Sequence, residues 1–149
     1  DAGNAQKYIL VTHTNLQAAL RVLVQNQTGV IKGSCNNQVT TSDKIVVYAY
    51  QKGTYNALLE RSEVGGVAFV NAVNSAAVDA NGNFEMHFLN SGEYELVFIA
   101  YKDLNADGNL NIQGTLLLDV LTAHDLKSIN VSAQNSATVN VKVSGLIPI

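Results

Sequence analysis

Asp103, Asn105 and Asp107 stand at alternate positions, and Gly108 follows them. This spacing is the front half of a calcium loop. Side-chain oxygens at i, i+2 and i+4 of a tight loop can converge on a hard cation, and the glycine permits the sharp turn. The carbonyl of Asn109 can supply a further ligand. Leu110 falls where such loops place an apolar anchor, and Asn111 can contribute directly or through water. The twelfth position is Gly114, where a bidentate glutamate would stand. Asp119 can substitute only if the chain folds back. The expected cofactor is calcium, held at the affinity of extracellular modules, about 10⁻⁴–10⁻³ M. Asn, Asp and Gly also make turns unaided, so a metal-free Asx turn is the competing reading. Asp79, Asn81 and Asn83 repeat the spacing, but Asn81-Gly82 marks a hairpin turn there.

No other reactive grouping stands out. His13, His87 and His124 lie in separate segments without metal-ligand spacing. The chain has no nucleophile elbow, no phosphate-cradling glycine loop and no H-E-x-x-H. Glu85, Glu93 and Glu95 fall on wet strand faces, where carboxylates are routine. Cys35 is alone, which rules out an internal disulfide and suits a buried strand cysteine. These features predict a protein that is not an enzyme. Asn26-Gln27-Thr28 and Asn130-Val131-Ser132 are glycosylation sequons that matter only in a eukaryotic source.

The chain has 149 residues, enough for one domain with a real core. Charged residues make up 14% and the net charge is −3 without a basic cluster, which argues against a nucleic-acid partner. Asn, Ser, Thr and Gln carry the solubility instead, as on short strands joined by polar turns. No apolar run reaches membrane-spanning length. Residues 1–10 lack the pattern of a signal peptide, which suits a mature form or an excised fragment.

Strands are predicted at 7–13, 30–35, 44–51, 67–73, 76–78, 84–88, 93–102 and 114–121. Residues 16–25 fit helix or strand, with a lean to strand over 19–25. One helical turn is allowed in 52–66. Phe84, Met86 and Phe88 alternate with Glu85 and His87, so these three aromatic and apolar residues are expected on the buried face. Residues 127–132 and 137–144 are expected to form a final hairpin, with Val139, Val141 and Val143 facing inward and Pro148 ending it. The pattern predicts an all-β, antiparallel β-sandwich of about eight or nine strands. Residues 1–17 are read as an N-terminal extension and 18–149 as a single domain.

A resemblance sharpens this reading. Val78-Asp79-Ala80-Asn81-Gly82-Asn83-Phe84, followed by Phe88 to Leu96, resembles the signature of carboxypeptidase-regulatory-like modules, which share the transthyretin (prealbumin-like) sandwich. Gly29–Gly33 and Lys44–Tyr50 fit the first strands of such modules. Leu20-Arg21-Val22, Gly29–Gly33, Phe69–Ser75, the following turn and strands, and Tyr101–Gly108 are together similar to the C-terminal region of a domain-of-unknown-function family in Gram-negative envelope lipoproteins. The resemblance implies a secreted or cell-surface accessory module, bacterial in origin, and brings no catalytic residues.

Three functions are consistent with these observations. The leading one is a structural or adhesive surface module stabilised by calcium. A second is a fibre or pilus subunit. Tyr8, Ile9, Leu10 and Val11 would then add as a strand to the sheet edge of another copy or of another surface protein. A third is a carbohydrate-binding module presenting Tyr48, Tyr50, Tyr55, Tyr94 or Tyr101 to a glycan.

Overall fold

A computed structural model describes residues 26–62, 68–122 and 124–148. Eight strands and one short helix make up this part. They are β1 (Thr28–Asn36), β2 (Lys44–Gln51), α1 (Ala57–Glu60), β3 (Asn74–Ala77), β4 (Asn83–Asn90), β5 (Gly92–Lys102), β6 (Asn111–Val120), β7 (Ile129–Val131) and β8 (Ser136–Pro148). The fold is all-β, as the spacing of polar turns predicts. The strands at 7–13 and 19–25 lie outside the described residues, and so does the proposed assembly strand Tyr8–Val11.

Hydrogen bonding runs through one sheet in the order β3-β2-β5-β6-β8-β1-β4, with β7 beside the start of β5. Every pairing is antiparallel except β1 with β8, which is parallel. β2 has the β-branched and aromatic composition that suits a central strand, and it pairs with β5 from Lys44↔Tyr101 to Gln51↔Tyr94. The sheet curls until its end strands meet. The Asn74 amide nitrogen of β3 donates to the His87 carbonyl of β4 at 2.7 Å. Across the enclosed core, Phe84 of β4 meets Phe98 of β5 edge-on, with ring centroids 5.5 Å apart. Val139, Val141 and Val143 of β8 are fully buried there. Each contributes roughly 1.5–3 kcal/mol of burial.

Two expectations are corrected, the final hairpin and the strand at 67–73. The final hairpin does not form: β7 pairs with β5, and β8 lies parallel to β1 and antiparallel to β6. The turn after β7 decides this, because its Gln134 N–H bonds to the Thr28 carbonyl at 2.9 Å and delivers β8 to β1. β4 and β5 do not pair across Asn90-Ser91-Gly92 either, and the turn carries the chain from one side of the core to the other. Residues 68–73 are turns and bends, not strand. Phe69 takes a left-handed φ of 57° and stacks on Tyr48 at 4.3 Å, folding this segment over the outer face of β2 and β5.

Candidate functional site

The β1–β4 ladder carries a fault. Gly29 pairs with Leu89 and Ile31 pairs with Met86, so Val30 faces two residues, His87 and Phe88. This is a β-bulge, which re-aims side chains and shifts the alternation by one. Phe84 and Met86 point inward as expected. After the bulge Leu89 takes the inward position and Phe88 turns out, 40% exposed, with φ at 61°. The expectation that Phe88 joins the core is therefore corrected. Left-handed backbone is unusual for a bulky residue, and such strain gathers at functional positions.

A second strained residue stands beside it. Gln134 has φ at 60° in the turn between β7 and β8. The turn is braced from several sides: the Val30 N–H donates to the Asn135 carbonyl at 3.0 Å, and the Asn135 amide donates to Ser132 Oγ at 3.1 Å. The Gln134 amide nitrogen reaches the Asn26 carbonyl at 3.4 Å. Gly29 makes this packing possible, because a Cβ there would stand 2.4 Å from the Ser132 carbonyl oxygen and 2.9 Å from that of Asn135.

Phe88 and His87 form one wall of a surface depression of about 340 Å³. Thr28, Gly29 and Val30 form its floor, and Asn26, Gln134, Asn135 and Ser136 complete the rim. His87 Nε2 lies 2.9 Å from Glu85 Oε2, and both side chains are about half exposed, at 51% and 58%. The rings of His87 and Phe88 are 6.1 Å apart and tilted by 50°. Among the described residues no lysine or arginine lines the depression. An aromatic face beside amides and hydroxyls can pack against apolar C–H surface while exchanging hydrogen bonds with a polyhydroxylated ligand.

The five tyrosines considered as a glycan platform are engaged in packing. Tyr50 and Tyr94 are buried. The Tyr94 hydroxyl donates to the Asn90 carbonyl at 2.6 Å. The Tyr48 and Tyr101 hydroxyls share a hydrogen bond of 2.5 Å, and Tyr55 packs on Tyr50 at 4.9 Å. Tyr50 also donates to Glu60 Oε2 at 2.8 Å. Glu60 is only 2% exposed and takes two further bonds, from the Asn71 N–H at 3.2 Å and the Asn71 amide at 2.5 Å. Burial alone would raise the Glu60 carboxyl, but the bonds from Asn71 and Tyr50 outweigh it and hold the carboxyl below its ordinary range. Burial, helped by Glu60, pushes the Tyr50 hydroxyl far up. Glu60 thus ties α1 and Asn71 to Tyr50 of β2.

The acidic loop is closed by its own backbone. Asp103 accepts from the Asp107 N–H at 3.1 Å and from the Gly108 N–H at 2.8 Å. Asp107 accepts from the Asn109 N–H at 2.8 Å and from the Asn105 amide at 3.0 Å. The Asn109 N–H is the main cause that lowers the Asp107 carboxyl below its usual range. Asp43, which the sequence did not single out, accepts from the Asp103 N–H at 2.9 Å. Asn111 opens β6 beside the loop. Asp119 lies eight residues further along that strand, opposite Lys142. At about 3.3 Å per residue this places it more than about 20 Å away, so the structure does not bring it to the loop. Among the described residues no three His, Cys, Asp or Glu side chains gather as a metal site. The loop offers the carboxylates of Asp103 and Asp107, and it has Gly114 at the twelfth position, where a full calcium loop has a bidentate glutamate.

No family model matches the chain, and no curated protein matches it. Among solved structures, the chain is similar to a Pseudomonas aeruginosa protein named as a "putative carbohydrate binding protein". The similarity covers 79% of this chain and 90% of that one, at 14% identity and a TM-score of 0.41. Among the described residues no helix is long and apolar enough to cross a membrane.

Proposed function

We propose that the protein is a non-catalytic surface module that binds carbohydrate in the Phe88 depression and serves adhesion. The observation that carries this is the bulge at His87–Phe88. It spends backbone strain to hold an aromatic side chain outside the core, against a rim of amides and hydroxyls. A strand needing only a filled core would continue the alternation and bury Phe88. The aromatic ring offers the apolar face of a sugar a partner, and Asn26, Gln134, Asn135 and Ser136 offer its hydroxyls donors and acceptors.

A glycan array probed with the intact chain and with Phe88→Ala tests the reading. Binding of a defined glycan set by the intact chain, lost in the variant, is the expected result. An array that binds neither protein, or both equally, would overturn it.

A further inference from the structure

The depression is the end of a longer surface. Beyond the bulge, β4, β1 and β8 lie side by side, and alternate residues of each face outward. Lys32 is flanked by Glu85 on β4 and Thr138 on β8, and all three are exposed. The next row is Ser34, flanked by Asn83 and Asn140. The Ser34 N–H and hydroxyl both donate to Asn140 Oδ1, at 3.1 and 3.0 Å. That fixes the amide plane and leaves its nitrogen as a held donor without a partner among the described residues. From Val30 in the depression to Ser34 is four residues, about 13 Å of strand.

We propose that the site takes a linear oligosaccharide, seated with one ring on Phe88 and running along β1 over Lys32 to the Ser34–Asn140 pair. The proposal rests on the reading of the depression as a sugar site. The rows present what a chain of sugar rings needs: hydroxyls, a fixed amide and the alkyl stem of a lysine, continuous with the aromatic wall. A protein partner of this face would lack the buried aromatic or arginine anchors on which such interfaces depend, since Phe88 stands at one end only. Lys32 beside Glu85 leaves no net positive charge for a nucleic acid.

Titration calorimetry tests this with a series from one to four rings of the glycan that the array selects. The proteins are the intact chain, Phe88→Ala, Asn140→Ala and Thr138→Arg. Thr138 is exposed, so its replacement obstructs the face without disturbing the core. Affinity is expected to rise about ten-fold or more from one ring to three. Asn140→Ala and Thr138→Arg are expected to remove most of that gain while leaving the single-ring affinity unchanged. Affinity independent of length, with Phe88→Ala still abolishing binding, would overturn the extended site alone. Binding indifferent to Phe88→Ala at every length would overturn the underlying reading as well.

Discussion

Phe88 and Gln134 both hold left-handed backbone conformations, at φ 61° and 60°, and they line the same depression. They belong to different connections of the fold: one to a bulge in β4, the other to the turn that feeds β8 into its parallel pairing with β1. Gly29 lies between them and accepts the close approach of that turn. The site is thus a product of topology. It exists because β8 leaves β7 and lies along β1.

The strain at Phe88 has a stability signature. In an ordinary strand glycine is less stable than alanine. At φ 61° the order should reverse, with Phe88→Gly about 1 kcal/mol more stable than Phe88→Ala, because only the alanine retains a Cβ in the left-handed region. Urea melts of the two variants measure this. Alanine as the more stable variant would contradict the bulge geometry.

Gly29→Ala tests the packing of the turn. Its Cβ would stand 2.4 Å from the Ser132 carbonyl oxygen, so the turn must move away. A loss of about 1–3 kcal/mol is expected, as for overpacking elsewhere, together with weakened glycan binding. A variant as stable as the parent would show that the turn is not held against β1.

Glu60 makes stability depend on pH. Its folded carboxyl is held below the ordinary value by Asn71 and Tyr50, against the opposing effect of burial. The contribution is therefore complete above the unfolded carboxyl value of about 4.3 and is lost as pH falls through the lower folded value. Glu60→Gln offers one acceptor oxygen where the carboxylate offers two, and it should cost about 1–3 kcal/mol at neutral pH. The difference between parent and variant should shrink below about pH 4. Thermal melts across that range measure it, and a constant difference would refute the assignment.

Asp103 braces the acidic loop by accepting from the Asp107 and Gly108 N–H groups. In calcium-free buffer, Asp103→Ala should speed hydrogen exchange at the Asp107 and Gly108 amides, which lose their acceptor. Unchanged exchange there, with a higher melting temperature of the parent in millimolar calcium, would favour the calcium loop instead.

The sequence was legible where one physical rule acted alone. β2 has both ends at the predicted residues, Lys44 and Gln51, because β-branched and aromatic residues fill it and polar residues flank it. The inward valines of β8 followed from simple alternation. The pairing of β7 and β8 was not legible, because the bond from the Gln134 N–H to the Thr28 carbonyl joins residues far apart in the chain. Residues 68–73 have strand composition, but the stacking of Phe69 on Tyr48 overrides it. The site was missed for a related reason. Phe84, Met86 and Phe88 fit an unbroken period of two, and only the apolar Leu89 directly after Phe88 signals the slip. The five tyrosines are aromatic candidates by composition, yet hydroxyl bonds hold Tyr48, Tyr50, Tyr94 and Tyr101, and Tyr55 packs on Tyr50. The acidic loop has ligand spacing, and its carboxylates also accept from the loop's own N–H groups, a pairing that the Asx-turn composition makes legible.

Backbone amide shifts of isotope-labelled protein, titrated with the glycan that the array selects, test the central claim most directly. The account expects perturbations concentrated at Val30, His87, Phe88 and Gln134 to Ser136, absent from the spectrum of Phe88→Ala. Perturbations centred on the Asp103–Asn111 loop or on the Tyr48–Tyr101 face, or shifts that persist in Phe88→Ala, would contradict it.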